Sequence, residues 1–125
     1  MRLLKKLLGV DKPTITIEAS DETFPELISS RKIVFVDYWA TWCGPCTQFS
    51  PIFEDVAKAM QGDDVVRFVA VDVDQCPRAA GAVGIQSVPT VIAFVDGSPI
   101  ARTGPSSRAG LEAFIAKVRG VAGIA

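Results

Sequence analysis

Hydrophobic residues occur along this chain with two different spacings, which predict two kinds of secondary structure. Apolar or alternating runs, which are typical of strands, lie at residues 14–18, 33–39, 65–73, 90–95 and 100–103. Helices are predicted within residues 20–28, 43–60, 77–83 and 106–119, mostly from apolar residues that recur every three or four positions. The predicted order is strand and helix three times in alternation, followed by two strands and a last helix.

Short polar segments mark where these elements begin or turn. Ser20 and Asp21 are expected to cap the first helix, and Ser106 or Ser107 is expected to cap the last one. Asp96–Gly97 is a strong hairpin signal between the last two strands. The alternating part implies parallel crossovers and the hairpin implies an antiparallel pair. The sequence therefore predicts an α/β protein whose mixed central sheet has about five strands, with helices on both faces.

The length of 125 residues suits one domain, which we expect to span 13–120 between an N-terminal extension, 1–12, and a C-terminal tail, 121–125. On a helix, the leucines of residues 1–10 would share one face and the basic residues the other. We favour a segment that docks on its own domain or is frayed. The alternatives are a contact with a membrane or partner, and export; Lys5 and Lys6 count against export because they interrupt the apolar run.

Composition removes several classes of function. Thirteen Lys and Arg nearly balance fourteen Asp and Glu, and the net charge of -1 counts against a nucleic-acid partner. With three cysteines and no histidine, the chain offers neither four Cys or His zinc ligands nor an imidazole base for a nucleophile. The odd number of cysteines also differs from the even set of a disulfide-stapled secreted protein. We expect a redox pair and one extra cysteine, without a metal or a cofactor.

The redox pair is Trp42-Cys43-Gly44-Pro45-Cys46, which follows a predicted strand and precedes a predicted helix. A thiol in the first turn of a helix faces unpaired backbone N–H groups and the positive end of the helix dipole. That field favours thiolate over thiol and lowers the thiol pKa, and the thiolate is the form that attacks disulfides. The motif therefore predicts dithiol–disulfide exchange.

The segment from Trp39 to Cys46, with Asp37 before it and Val88-Pro89-Thr90 after it, resembles the thioredoxin family. The resemblance covers residues 14 to 118. It implies the thioredoxin fold and the activity of a general protein disulfide reductase, an electron carrier that thioredoxin reductase reduces again. We therefore expect disulfide-containing protein substrates, thioredoxin reductase as a partner, a monomer and a cytoplasmic location.

The resemblance assigns different tasks to the two cysteines. Cys43 is expected to be the more exposed and more acidic thiol, which attacks the substrate and forms a mixed disulfide. Cys46 lies one turn further into the helix and is expected to resolve that intermediate by attacking Cys43. Gly44 lets the backbone approach closely, and Pro45 stiffens the turn.

Asp37 interrupts an otherwise apolar strand, where an unpaired carboxylate is costly and its pKa is expected to rise. The resemblance implies a buried acid that takes the proton of Cys46, directly or through water. The alternative is an aspartate at a strand end that reaches solvent. Ala70 and Thr47 stand where relatives often carry a basic residue, so we expect a more strongly neutralised Asp37 and a slightly less acidic Cys43.

The resemblance also implies a cis bond between Val88 and Pro89 that faces Cys43, although a trans proline is the commoner case. The backbone of Val88 would then pair with an extended substrate segment. Trp42 is expected to shield the cysteines, while Trp39 is either a neighbour of the site or plain core. The following residues are expected to complete an apolar substrate surface, unless they are ordinary turn or rim residues: Gly84, Ile85, Gly104 and Pro105.

Cys76 is the odd cysteine and precedes the short predicted helix, so it too is expected to be somewhat acidic. A cysteine at a similar place takes part in secondary oxidation in some animal thioredoxins. The alternative, which we favour, is a partly buried side chain without a redox role.

Two other functions compete with a general reductase. One is a thiol–disulfide protein of the membrane or cell envelope, tethered by the N-terminal segment. The other is a non-enzymatic binding subunit that uses the fold as a surface. The Gly44-Pro45 pair favours the reducing type.

Overall fold

The computed structural model describes residues 14–124, and they form a five-stranded sheet flanked by helices. The strands are β1 (Ile17–Glu18), β2 (Ile33–Trp39), β3 (Val66–Asp72), β4 (Thr90–Val95) and β5 (Ser98–Thr103). The helices are α1 (Phe24–Leu27), α2 (Gly44–Ala59), α3 (Pro77–Gly81) and α4 (Arg108–Val121). This order confirms the predicted fold class. The predicted N-terminal extension, 1–12, lies outside the described residues, and the domain bounds remain a prediction.

The sheet is mixed, with strand order β1-β3-β2-β4-β5. β1, β3 and β2 are parallel, while β4 and β5 are antiparallel to their neighbours. Asp96 and Gly97 both have positive φ, 51° and 81°, as the predicted tight hairpin requires. The first strand is shorter than predicted, because the backbone N–H groups of Ile15 and Thr16 donate to the carboxylate of Glu54 rather than to β3.

Side-chain alternation along β2 divides the core into two layers. Ile33 and Phe35 pack with residues of α2 and α4, whereas Val34, Val36 and Tyr38 pack on the other face with residues of α1 and α3. Asp37 belongs to the first set by its position in the strand, so it points towards α2. The sheet therefore places this acid beneath the helix that carries the cysteines.

The structure confirms only some of the helix caps that the sequence predicts. The Ser20 hydroxyl accepts a hydrogen bond from the backbone N–H of Thr23 at the start of α1, and the Ser107 hydroxyl caps α4. Asp21 instead accepts hydrogen bonds from the backbone N–H groups of Arg78 and Ala79, at 3.2 and 2.8 Å. The prediction for Asp21 is wrong because α3, distant in sequence, presents unpaired donors beside it.

Candidate active site

The two cysteines lie where β2 passes into α2, and they form a disulfide with a Cα–Cα distance of 5.3 Å. Cys43 is the N-cap residue of α2, and its sulfur accepts the backbone N–H of Cys46 at 3.2 Å. A sulfur in this place replaces the oxygen of the usual Ser or Asp cap. It lies at the positive end of a 16-residue helix, which stabilises a thiolate once the disulfide is reduced.

Both cysteines are buried in the disulfide form. Cys43 is 4% exposed and Cys46 is 2% exposed, and a difference this small leaves the expected order of exposure a prediction. The side chains of Trp39, Val73 and Val88 pack against the pair.

Trp42 lies on the surface, and its role as a shield of the cysteines remains a prediction. It is 71% exposed, and its indole N–H donates to the carboxylate of Asp74 at 2.9 Å. This hydrogen bond fixes the orientation of the ring. Trp39, which is half buried, packs against the cysteines.

The segment before β4 approaches Cys43 from another part of the chain. The Val88–Pro89 bond is cis, as expected, and the carbonyl oxygen of Val88 lies 3.6 Å from the Cys43 sulfur. Val88 is half buried, so part of it is open beside the disulfide. Gly84 and Gly104 are exposed loop residues and Ile85 is half buried; their part in substrate binding remains a prediction.

Asp37 is buried, with 2% of its surface exposed, and the alternative of an aspartate that reaches solvent is wrong. Burial raises the pKa of Asp37 to about 7, the negative charge of Glu18 adds to this, and a hydrogen bond from Ser50 acts in the opposite direction. Within residues 14–124, its Oδ1 atom has no hydrogen-bond partner. This carboxyl is therefore able to gain or lose a proton near neutral pH.

Asp37 and Cys46 line the same cleft, which has a volume of about 470 Å³. Ala70 and Thr47, the two positions where relatives often carry a basic residue, line it as well. Among the described residues, the charged side chains that line the cleft are all acidic: Glu18, Asp37 and Glu54. The cleft thus joins the inner cysteine to a buried acid in negatively charged surroundings.

Sequence reasoning missed Glu18 and Ser50. Ser50 follows Cys46 by four residues on α2, so helical spacing places both on one face. Glu18 pairs with Ala70 of β3, which pairs in turn with Asp37. The position of Glu18 relative to Asp37 depends on the register of three strands, which the local sequence pattern does not reveal.

Cys76 has surroundings unlike those of Cys43. It is 1% exposed, and its sulfur lies 3.4 Å from the carbonyl oxygen of Ala19. Burial raises the pKa of Cys76, and the negative charges of Asp21 and Asp72 add to the increase. The expected acidity is therefore wrong, because Asp21 occupies the N–H donors of α3 that would have stabilised a thiolate.

The described residues contain neither a candidate metal-binding cluster nor a candidate membrane-spanning helix. Among residues 14–124, no three or more Cys, Asp or Glu side chains form a group that could hold a metal ion. Over the same range, no helix is long and apolar enough to cross a membrane.

Comparison with known proteins identifies the family. The thioredoxin family model matches residues 15–117. Thioredoxin of Mycolicibacterium smegmatis is 40% identical over 95 residues, which are 74% of this chain and 84% of that protein. A "bifunctional thioredoxin reductase/thioredoxin" of Mycobacterium leprae is 40% identical over 89 residues, 70% of this chain but 19% of that protein.

A solved structure agrees with the sequence matches. The crystal structure of Malassezia sympodialis thioredoxin superposes with a TM-score of 0.74 at 34% identity, and covers 85% of this chain and 93% of its own. These similarities do not favour an envelope protein or a non-enzymatic subunit. The chain belongs to the thioredoxin family and is a dithiol–disulfide reductase, a protein-disulfide oxidoreductase that works through Cys43 and Cys46.

Proposed function

We propose that Cys43 is the nucleophile and that its thiolate attacks one sulfur of a substrate disulfide. The substrate S–S bond breaks, one substrate sulfur leaves as a thiolate that takes a proton from water, and the other stays bound to Cys43. The observation that carries this assignment is the Cys43 sulfur at the N-cap of α2, where it accepts the backbone N–H of Cys46.

Cys46 resolves the mixed disulfide in a second exchange. Its thiol gives a proton to the Asp37 carboxylate, and the resulting thiolate attacks the Cys43 sulfur. The second substrate sulfur leaves, and the Cys43–Cys46 disulfide forms, so two electrons have passed to the substrate. The shared cleft and the proton affinity of Asp37 near neutral pH support this role.

The substrate docks as an extended segment against the backbone of Val88, beside the cis proline Pro89. The exposed ring of Trp42 and an apolar rim border this edge; the rim residues are Gly84, Ile85 and Gly104. Few side chains contribute, which suits a reductase with many protein substrates. Support comes from the 3.6 Å approach of the Val88 carbonyl to Cys43 and from the exposure of Trp42.

Thioredoxin reductase is the proposed electron donor that restores the dithiol after each cycle. The bifunctional relative, whose name joins thioredoxin reductase and thioredoxin in one chain, supports this pairing. We also propose that the protein is a monomer and that it is located in the cytoplasm. A reducing compartment of this kind keeps a cysteine pair in the dithiol form. Analytical ultracentrifugation and cell fractionation test these two points.

An insulin reduction assay tests the activity, with dithiothreitol as the electron source. Cys43→Ala is expected to abolish turnover, whereas Cys46→Ala is expected to accumulate a mixed disulfide on Cys43. Cys76→Ala serves as the matched control that also removes one thiol, and it is expected to keep the activity. Full turnover by Cys43→Ala, or a mixed disulfide between substrate and Cys46 in that variant, would contradict the assignment.

A further inference from the structure

The rim beside the proposed docking edge is built from two separate segments of the chain. Gly84 and Ile85 follow α3, whereas Gly104 follows β5. Among the hydrogen bonds of residues 14–124, one alone joins residues 82–88 to residues 98–104. In this bond the guanidinium of Arg102 donates to the carbonyl oxygen of Val83 at 2.8 Å. Arg102 therefore ties the two parts of the rim together.

The register of β5 places Arg102 on the sheet face that carries this segment. Arg102 pairs with Ile92 of β4, so the two side chains share one face of the sheet. Val83 and Ile85 pack against the core layer that contains Ile92. Burial raises the pKa of the Tyr38 phenol, which lies in the same layer, and the positive charge of Arg102 acts in the opposite direction. The Arg102 side chain thus spans from the edge strand to the end of α3.

The chain turns sharply where Arg102 binds it. Gly84 has a φ of 64°, the left-handed conformation in which glycine commonly ends a helix. The backbone N–H groups of Gly84 and Ile85 donate back to the carbonyl oxygens of Gly81 and Ala80, at 3.1 and 3.2 Å. The carbonyl of Val83, just before this turn, receives the guanidinium instead. A hydrogen bond from a charged donor is stronger than one between neutral groups, so it is suited to hold this turn in place.

A second side chain holds the other end of the same loop. The hydroxyl of Thr90 donates to the carbonyl oxygen of Ser87 at 2.7 Å. Residues 83–88 are therefore anchored at Val83 by Arg102 and at Ser87 by Thr90. A loop that is already ordered costs less free energy to bind, because its conformational freedom is not lost on docking. The backbone of Val88 follows directly and meets the substrate in a fixed place.

We propose that Arg102 is a positioning residue for substrate docking, which holds the loop of residues 83–88 so that the Val88 backbone is presented to the substrate. This rests on the proposed docking of an extended segment at Val88. Arg102 acts through the loop and not on the two sulfurs. Its loss should therefore weaken substrate binding and leave the exchange steps unchanged.

Steady-state insulin reduction, with dithiothreitol as the electron source, separates binding from chemistry. Arg102→Met keeps an unbranched side chain and removes the donors, and it is expected to raise the KM for insulin about 5- to 10-fold with kcat within about twofold. Arg102→Lys keeps a cationic donor and should recover most of the change. Arg108→Met is the matched control, because it removes the same charge from an exposed position of α4, and it should leave the KM in place.

Hydrogen exchange at the backbone N–H of Ile85 reports on the loop itself. It should become faster in Arg102→Met and stay unchanged in Arg108→Met. The inference would be overturned by an unchanged KM or unchanged exchange in Arg102→Met, by an equal rise of the KM in Arg108→Met, or by no recovery in Arg102→Lys.

Ile85→Ser distinguishes failure of this inference from failure of the proposed docking surface. Ile85 belongs to the rim, so this variant is expected to raise the KM through a direct contact with the substrate. A raised KM in Ile85→Ser together with an unchanged KM in Arg102→Met would overturn the role of Arg102 alone. An unchanged KM in Ile85→Ser would contradict the docking surface, and the role of Arg102 would fall with it.

Discussion

Two helix starts in this protein carry a cysteine at the N-cap, and only one of them has the features of a reactive site. Cys43 precedes the 16-residue α2, and its sulfur accepts a backbone N–H of that helix. Cys76 precedes the five-residue α3, makes no such bond, and leaves the helix donors to the carboxylate of Asp21. In this protein, therefore, the N-cap position favours a thiolate where the sulfur itself receives a helix donor, and not where a carboxylate occupies the donors.

Each cysteine site also has its own aspartate, and the two act in opposite ways. Asp37 is buried beside the cleft that Cys46 lines, where it is able to take up a proton. Burial acts to raise the pKa of Asp21, but hydrogen bonds from the backbone N–H groups of Ala79 and Arg78, together with the positive charge of Arg78, outweigh it and hold that pKa below its ordinary value. Asp21 therefore stays charged and discourages a thiolate at Cys76.

The largest contrast is expected in catalysis. Cys43→Ala should lower the rate of insulin reduction by about 100-fold or more, because no other thiol occupies the N-cap of α2. Cys76→Ala should leave the rate within about twofold, since a buried cysteine outside the reaction contributes only packing. Equal losses in the two variants would remove the distinction between the two helix starts.

Asp37→Asn should slow the resolving step by about 10- to 100-fold at neutral pH, because an amide cannot take the proton of Cys46. The step should also lose the pH dependence centred near 7 that the pKa of Asp37 imposes. Stopped-flow measurement of peptide release from the mixed disulfide checks both effects. Asp55→Asn, an exposed change on the same helix, is the matched control and should behave as wild type.

The same substitution should affect stability with a definite sign. The pKa of Asp37 is raised from 3.8 to about 7, so the native state holds this proton more tightly than the unfolded chain does. The contribution of Asp37 to the free energy of unfolding should therefore be greatest below pH 4. It should be lost as the pH rises through 7, and the loss should be about 4 kcal/mol at most.

Urea unfolding of the oxidised protein checks that sign. Asp37→Asn should lack this fall. The stability of the variant relative to wild type should therefore be higher at pH 8 than at pH 4. A wild-type protein that gains stability from Asp37 as the pH rises from 4 to 8 would contradict the raised pKa of this buried carboxyl.

The smallest effect is expected at the second helix start. Asp21→Asn removes the negative charge beside Cys76 and weakens the cap of α3, so the pKa of Cys76 should fall and its alkylation should become several-fold faster. Glu26→Gln, an exposed change on α1, is the control. Unchanged or slower alkylation in Asp21→Asn would contradict the effect of the Asp21 charge on Cys76.

The fold could be predicted because each element is indicated by a strong local signal in the sequence. The apolar run of β2 and the Asp96–Gly97 turn each act within a few residues, and the cysteine motif marks the start of α2. The errors arose where a distant residue intervenes, as where Asp21 binds the start of α3 instead of capping α1.

The chemistry of the site was predictable to a similar extent. A lone acid in an apolar strand indicated a raised pKa for Asp37, and the structure agrees. The influence of Glu18 was not predictable, because it depends on the register of β1, β3 and β2 together. Pairing between strands that are distant in sequence leaves no local pattern.

Competitive alkylation of the reduced protein tests the central contrast most directly. Iodoacetamide at less than one equivalent, at neutral pH, is followed by mass spectrometry of the peptides that contain each cysteine. Cys43 should take most of the label, Cys46 little, and Cys76 almost none. Label spread evenly over the three cysteines, or found first on Cys76, would contradict it.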